Sequence, residues 1–264
     1  GRGLWARRDV AAEELVMRIP MAAAIAPEMG RQVLQDAGVA EADGLADEVL
    51  LAAYVAEHAP GATGPHGAWF EALPAPESFA LAMPLFWAGV DPSASSTWPP
   101  GLEELVRRDP EATRALRSEM DGQQAAVEAE RLRLCPRAGA PIYGAQAFRH
   151  AWAVATSRNF LLRRGRWAGR GRRVLLPFGD LLNHCGPGPE GAGLAWAYNE
   201  AEDAVDFVAR RRIPQGQELL INYSRRESGR HPLRQDSPFH FLLCYGFLEE
   251  EEASAGQAAA RAAA

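Results

Sequence analysis

Apolar residues recur along this chain with two periods. In ELVMRIP, Glu14 to Pro20, Leu15, Met17 and Ile19 alternate with their neighbours, which is the period of a strand, and Pro20 closes it. From Gly44 to Gly61, residues Leu45, Val49, Leu50, Ala53 and Tyr54 fall at helical spacing, and the helix is expected to stop at Pro60-Gly61. Gly67 to Trp87 is crowded with aromatics and prolines and reads as short helices and turns. Glu111 to Leu134 is helical in composition, with a break expected at Gly122. Ala145 to Phe160 sets Phe148, Trp152 and Ala155 on one helix face, and Arg163 to Arg173 reads as an Arg/Gly loop. Strands are expected around LAWAYN (Leu194 to Asn199) and AVDFVAR (Ala204 to Arg210). A further strand, Glu218 to Tyr223, follows the turn IPQGQE. Strands at both ends and helices between them make an α+β chain with an inserted helical section.

Composition narrows the classes. The chain has 264 residues, 47% of them hydrophobic and 23% charged, enough to bury a core as one large domain or two small ones. The formal net charge of -6 argues against a general nucleic-acid binder. All 28 basic residues are Arg. The three cysteines, Cys135, Cys185 and Cys244, form no CxxC pair. A disulfide framework is not expected, a reducing intracellular compartment is, and cysteines alone are too few for a structural zinc site. No run of 18 apolar residues occurs, so no membrane partner is expected. The last residues are low-complexity, and no internal repeat is visible.

One stretch concentrates chemistry. LLPFGDLLNHC, Leu175 to Cys185, packs Asp180, Asn183, His184 and Cys185 into six residues after Pro177 and Gly179. Adjacent His184 and Cys185 point to opposite sides of an extended chain and would share one metal poorly. A Cys185 nucleophile would need a base and an orienting group that the sequence does not name. On this stretch alone, polar capping groups at a strand-to-turn junction are the better account.

Five segments in order change that balance. GRGLWA (Gly1 to Ala6) resembles a G-x-G-x-x-A cofactor loop; with no strand read before it and no helix obviously following, a dinucleotide fingerprint is not expected. WFEALP (Trp69 to Pro74), followed by PLFW, resembles a W…LP box. SRNF (Ser157 to Phe160) resembles SR-x-F, PFGDLLNH (Pro177 to His184) resembles PxxDxxNH, and ELLINY with CYGF (Cys244 to Phe247) resembles a closing pair of Tyr motifs. Together they resemble the SET-domain protein methyltransferases, in the subgroup typified by the Rubisco large-subunit lysine methyltransferase.

The resemblance implies a SET-domain β-fold with a threaded C-terminal segment and an inserted helical region. It divides residues 1–252 into parts 1–30, 31–160 and 161–252, with a tail over 253–264. It implies S-adenosyl-L-methionine as cofactor and a protein as substrate. Asn183 and His184 would hold the cofactor's amino-acid and adenine parts, and Arg158 would pair with its carboxylate. Asp180 would support Arg158 or the loop, and Gly3, Leu4 and Trp5 would offer backbone groups to the methionine portion. Tyr223 would be the catalytic tyrosine, Tyr245 a second aromatic of the site, and Phe247 part of the substrate channel.

On residue chemistry alone, Asp180 and Asn183 also suit a turn, Arg158 a helix C-terminus, and Tyr223 a sheet. Trp69, Trp87 and Trp152 read as core, and Cys185 and Cys244 as small buried hydrophobes. The chain departs from the pattern in the long link from Arg225 to Cys244 and in ending soon after Phe247. The expectation is a lysine N-methyltransferase acting on a non-histone protein. Protein-histidine methylation and a non-catalytic SET-like interaction scaffold stand as alternatives.

Overall fold

A computed structural model describes residues 3–40, 42–62, 64–87, 102, 110–136, 139–163, 165–167, 169, 171–185, 191–223 and 239–248. Strand β1 (Leu15–Pro20) leads into helices α1 (Pro27–Asp36), α2 (Asp47–His58), α3 (Gly67–Ala72), α4 (Pro76–Ala82), α5 (Pro110–Arg133) and α6 (Ala145–Ser157). Strands β2 (Asn159–Leu162), β3 (Arg172–Leu175), β4 (Asn183–His184), β5 (Leu194–Asn199), β6 (Ala204–Ala209) and β7 (Leu220–Ile221) follow, and α7 (His240–Tyr245) closes the described chain.

The strands form three small sheets. β1, β6 and β5 make an antiparallel sheet in that order, with Ile19 opposite Val205 and Tyr198 opposite Val205 on the other side. β2 and β3 form a hairpin, Phe160 opposite Val174. β4 lies parallel to β7, pairing Asn183 with Leu220 and His184 with Ile221. That short pairing brings the PxxDxxNH stretch beside the run leading to Tyr223.

Three apolar clusters hold the elements. One joins α1, α2, α3, α4 and α6 through residues such as Leu34, Leu50, Phe70 and Phe148. A second fills the sheets with Ile19, Val174, Val205, Phe207 and Ile221. The third packs α5 on α7 through Leu116, Met120, Leu242 and Leu243. Gly30 permits the tightest contact, since a Cβ there would overlap the Leu50 carbonyl where α1 meets α2.

Several expectations are corrected. Gly122 does not break its helix: α5 runs unbroken through it, because an exposed glycine costs only about 1 kcal/mol over alanine. α6 ends at Ser157 rather than Phe160. The Ser157 and Thr156 hydroxyls donate to the carbonyls of Ala153 (2.6 Å) and Trp152 (2.8 Å), and the Asn159 amide covers those of Ala155 and Thr156. Asn159 and Phe160 then enter β2. The end of the Arg/Gly stretch is strand, not loop: Arg172 and Arg173 begin β3, anchored by Glu28, Asp47 and Glu48 of α1 and α2. The strand expected over Glu218 to Tyr223 shortens to Leu220–Ile221. Residues 225–238 of the long link and the tail 253–264 lie outside the described residues. Among the described residues, no helix is long and apolar enough to cross a membrane, and no group of three metal-ligating side chains occurs.

Candidate active site

The chain enters the PxxDxxNH turn in a left-handed conformation at Phe178, φ 73°, where a bulky residue is strained. The 3-10 turn Gly179–Leu181 that follows tucks Asp180 inward, so its side chain is only 1% exposed. Asp180 Oδ2 accepts from Arg158 Nη1 at 2.7 Å, and Arg158 also donates to the Asp180 carbonyl at 3.2 Å. Arg158 is thus held by Asp180, although by position it is the C-cap of α6. Arg158 Nε and Asp180 Oδ1 are buried without a hydrogen-bond partner among the described residues.

Two residues further on, Asn183 Nδ2 donates to Glu218 Oε1 at 2.7 Å. A carboxylate only accepts, so this bond fixes which end of the amide is nitrogen. Gly3 closes the group: a Cβ there would run into the Glu218 carboxylate and lie 2.9 Å from Asn183 Nδ2. The N-terminal segment stays in place through a bridge between Trp5 and Glu218 and a 2.7 Å bond from the Leu219 N–H to the Leu4 carbonyl. Leu4 packs on the sheet core and Trp5 is 49% exposed.

His184 Nδ1 accepts the backbone N–H of Tyr223 at 3.0 Å, which sets the imidazole proton on Nε2. The Tyr223 hydroxyl donates to the Leu182 carbonyl at 2.6 Å. Burial pushes that hydroxyl up to about 12, with Arg158 opposing and Asp180 adding to the shift. Around Tyr223 stand Tyr245 (ring centroids 4.9 Å) and His184 (5.3 Å), and Phe247 stacks on His184 at 5.7 Å.

Two cavities meet at this cluster. The wide one, about 840 Å³, is bordered by Asn183, His184, Cys185, Phe247 and residues of α4. The narrow one, about 50 Å³, runs past Phe160, Leu161, Trp196 and Ile221 to Glu48 and Arg173. Ser157, Arg158, Asp180, Tyr223 and Tyr245 line both. The Glu48–Arg173 pair is 2.8 Å apart, and burial raises the Glu48 carboxyl above its ordinary value against the opposing pull of Arg173.

Arg158, Asp180, Asn183, His184, Tyr223, Tyr245 and Phe247 are therefore gathered in one place, with Gly3 against Asn183. Leu4 and Trp5 line neither cavity. Phe247, expected at the substrate channel, borders the wide cavity and not the narrow one. Cys244 is buried as expected, but Cys185 is half-buried at the wide cavity. Sequence reasoning missed Glu48, Trp196 and Glu218. For Glu218 the signal is a carboxylate just after the Gly216 turn, on the run to Tyr223. Trp69, read as core, is buried and also donates its indole N–H to Asp180 Oδ2 at 3.1 Å.

Comparison with known proteins identifies the fold. The SET domain profile matches residues 1–224. Among solved structures, the SET domain of LSMT bound to lysine and AdoHcy resembles the chain with a TM-score of 0.58 at 19% identity, over 94% of this chain and 50% of that one. Rubisco LSMT bound to sinefungin and monomethyllysine gives 0.56 at 18% identity, over 94% and 49%. The chain thus spans about half the length of these structures. No curated protein sequence matches it significantly. With a profile covering most of its length and the matching fold, the chain belongs to the SET domain family.

Proposed function

We propose that this chain is an S-adenosylmethionine-dependent protein-lysine N-methyltransferase acting on a non-histone protein. The observation that carries the reading is the meeting of a wide and a narrow cavity at Arg158, Asp180, Tyr223 and Tyr245. Transfer between two molecules suits such a layout, because each reactant fills its own cavity and positioning at the junction supplies much of the rate.

The wide cavity has room for the cofactor, and its polar groups fit. The Arg158 guanidinium at the cavity suits a carboxylate, and the oriented amide of Asn183 suits a polar ligand head. Gly3 leaves open the space that a side chain would fill beside Asn183. The solved relatives bind AdoHcy or sinefungin, which supports the same cofactor class here. When bound, the cofactor supplies a methyl group activated on a sulfonium.

The narrow cavity supports a cationic acceptor. Phe160, Trp196, Tyr223 and Tyr245 offer aromatic walls to a cation, while the Glu48 and Asp180 carboxylates are matched by Arg173 and Arg158. A lysine amine, ordinarily near pKa 10.4, must then shed its proton, and an enclosed apolar passage lowers that pKa. Tyr223 is not the base: its proton is held firmly and committed to the Leu182 carbonyl. Its oxygen keeps lone pairs that align an amine or a polarised methyl through weak C–H···O contacts. The likeness to Rubisco LSMT bound to monomethyllysine supports lysine on a non-histone protein.

Calorimetric titration with S-adenosylhomocysteine tests the cofactor half. Wild type should bind, and Asn183→Ala should raise Kd about tenfold, the scale of one lost hydrogen bond. Folded wild-type protein that fails to bind at millimolar ligand would leave the interaction-scaffold reading in its place.

A further inference from the structure

We infer that Trp69 is a positioning residue for the cofactor-binding Arg158, acting through Asp180; the inference rests on the proposed function and deepens it. Trp69 lies in α3, inside the helical insert, and lines neither cavity. Its indole N–H nevertheless donates 3.1 Å to Asp180 Oδ2, the same oxygen that accepts Arg158 Nη1 at 2.7 Å. The two donors come from segments 89 residues apart by number, and they converge on one buried oxygen.

A carboxylate turns easily about its last torsion, because that sp³–sp² rotation is broad. Arg158 gives it a partner on a flexible side chain, steadied among the described residues only by the 3.2 Å bond from Nη1 to the Asp180 carbonyl. The indole is a rigid bicycle, buried and packed against Phe70 with ring centroids 5.2 Å apart. Its N–H therefore marks a fixed point. A carboxylate bound to that point has one orientation, and so does the guanidinium that pairs with it. The second oxygen, Oδ1, is buried with no hydrogen-bond partner among the described residues, so nothing else there sets the plane. Arg158 borders both cavities with 19% of its side chain exposed, and a small rotation of its fork would misdirect the charge it presents to a ligand carboxylate. Through Trp69 the helical insert takes part in cofactor binding without touching the cofactor.

Trp69→Phe removes the N–H and keeps an aromatic ring. Trp69→benzothienylalanine keeps the bicyclic shape and replaces the N–H by sulfur, which serves if Phe leaves too large a void. Either variant should raise the Kd for S-adenosylhomocysteine about tenfold, the scale of a hydrogen bond to a charged group. The single-turnover methyl-transfer rate at saturating cofactor should stay within about twofold, because only binding geometry is disturbed. In an Asp180→Ala background the same change at Trp69 should shift Kd less than about twofold, since the oxygen that links the two donors is gone. A purely structural Trp69 would lower Tm without this split and without this dependence on Asp180. Wild type that binds, beside folded Trp69 variants with unchanged Kd, overturns the inference alone. An undiminished effect in the Asp180→Ala background also overturns it. Wild type that does not bind overturns the functional reading, and the inference with it.

Discussion

Tyr223→Phe removes one atom whose two roles can be separated. The hydroxyl donates to the Leu182 carbonyl at 2.6 Å, and the ring sits 4.9 Å from Tyr245 and 5.3 Å from His184. The backbone N–H of Tyr223 stays bound to His184 Nδ1, so the ring should keep its place. The lost bond to a buried carbonyl costs about 1–2 kcal/mol, or roughly 2–8 °C in Tm for a chain of this size. The wide cavity keeps Asn183, Arg158 and Asp180, so the S-adenosylhomocysteine Kd should stay within about threefold, as a contact absent from the bound ground state would predict. The single-turnover rate should fall about a hundredfold, the scale expected when reacting atoms lose a positioning contact. Calorimetry beside single-turnover transfer, each after a thermal melt, reads all three quantities. A folded Tyr223→Phe protein that turns over at the wild-type rate refutes the assignment and moves it to Tyr245.

Three further outcomes follow from the same structure. Burial holds the Tyr223 hydroxyl up to about 12 against the ordinary 10, so its contribution to stability is complete below pH 10 and is lost as pH rises from 10 to 12; denaturant melts should show a shallower alkaline decline in Tyr223→Phe than in wild type. Gly3→Ala would push a methyl into the Glu218 carboxylate and the Asn183 amide, both flexible side-chain ends, so calorimetry should give about tenfold weaker cofactor binding with Tm changed by less than about 2 °C. Gly30→Ala would overlap the Leu50 backbone, which cannot yield, so a thermal melt should lose about 2–3 kcal/mol, or roughly 5–10 °C.

What could be read from the sequence was local, and what could not was made by distant partners. β1, β5 and β6 announce themselves because alternating residues face one packed side. α2 does so because its apolar residues recur at helical spacing. The β2–β3 hairpin does not. Arg172 and Arg173 look like solvated loop charges until Glu28, Asp47 and Glu48 are placed opposite them by α1 and α2. The site divides in the same way. Asp180, Asn183 and His184 stand out within six residues, but their partners Trp69 and Glu218 lie 111 and 35 positions away. A buried tryptophan and a charged residue after a turn carry no mark of such a contact. Taken as a unit with Tyr245, the CYGF motif puts Phe247 in the substrate channel. In the structure its ring turns to His184 and the wide cavity while Tyr245 borders both cavities.

The most direct test of the account is transfer of a labelled methyl group from S-adenosylmethionine into a protein lysate by the purified chain, with mass spectrometry of the modified residue. This chain contains no lysine, so lysine label on its own side chains cannot confuse the reading. Methyl groups are expected on lysine side-chain nitrogens of one or a few non-histone proteins, and they should be lost in Tyr223→Phe. Label confined to histidine rings or to nucleic acid, or no transfer by folded, cofactor-binding protein, would contradict the account.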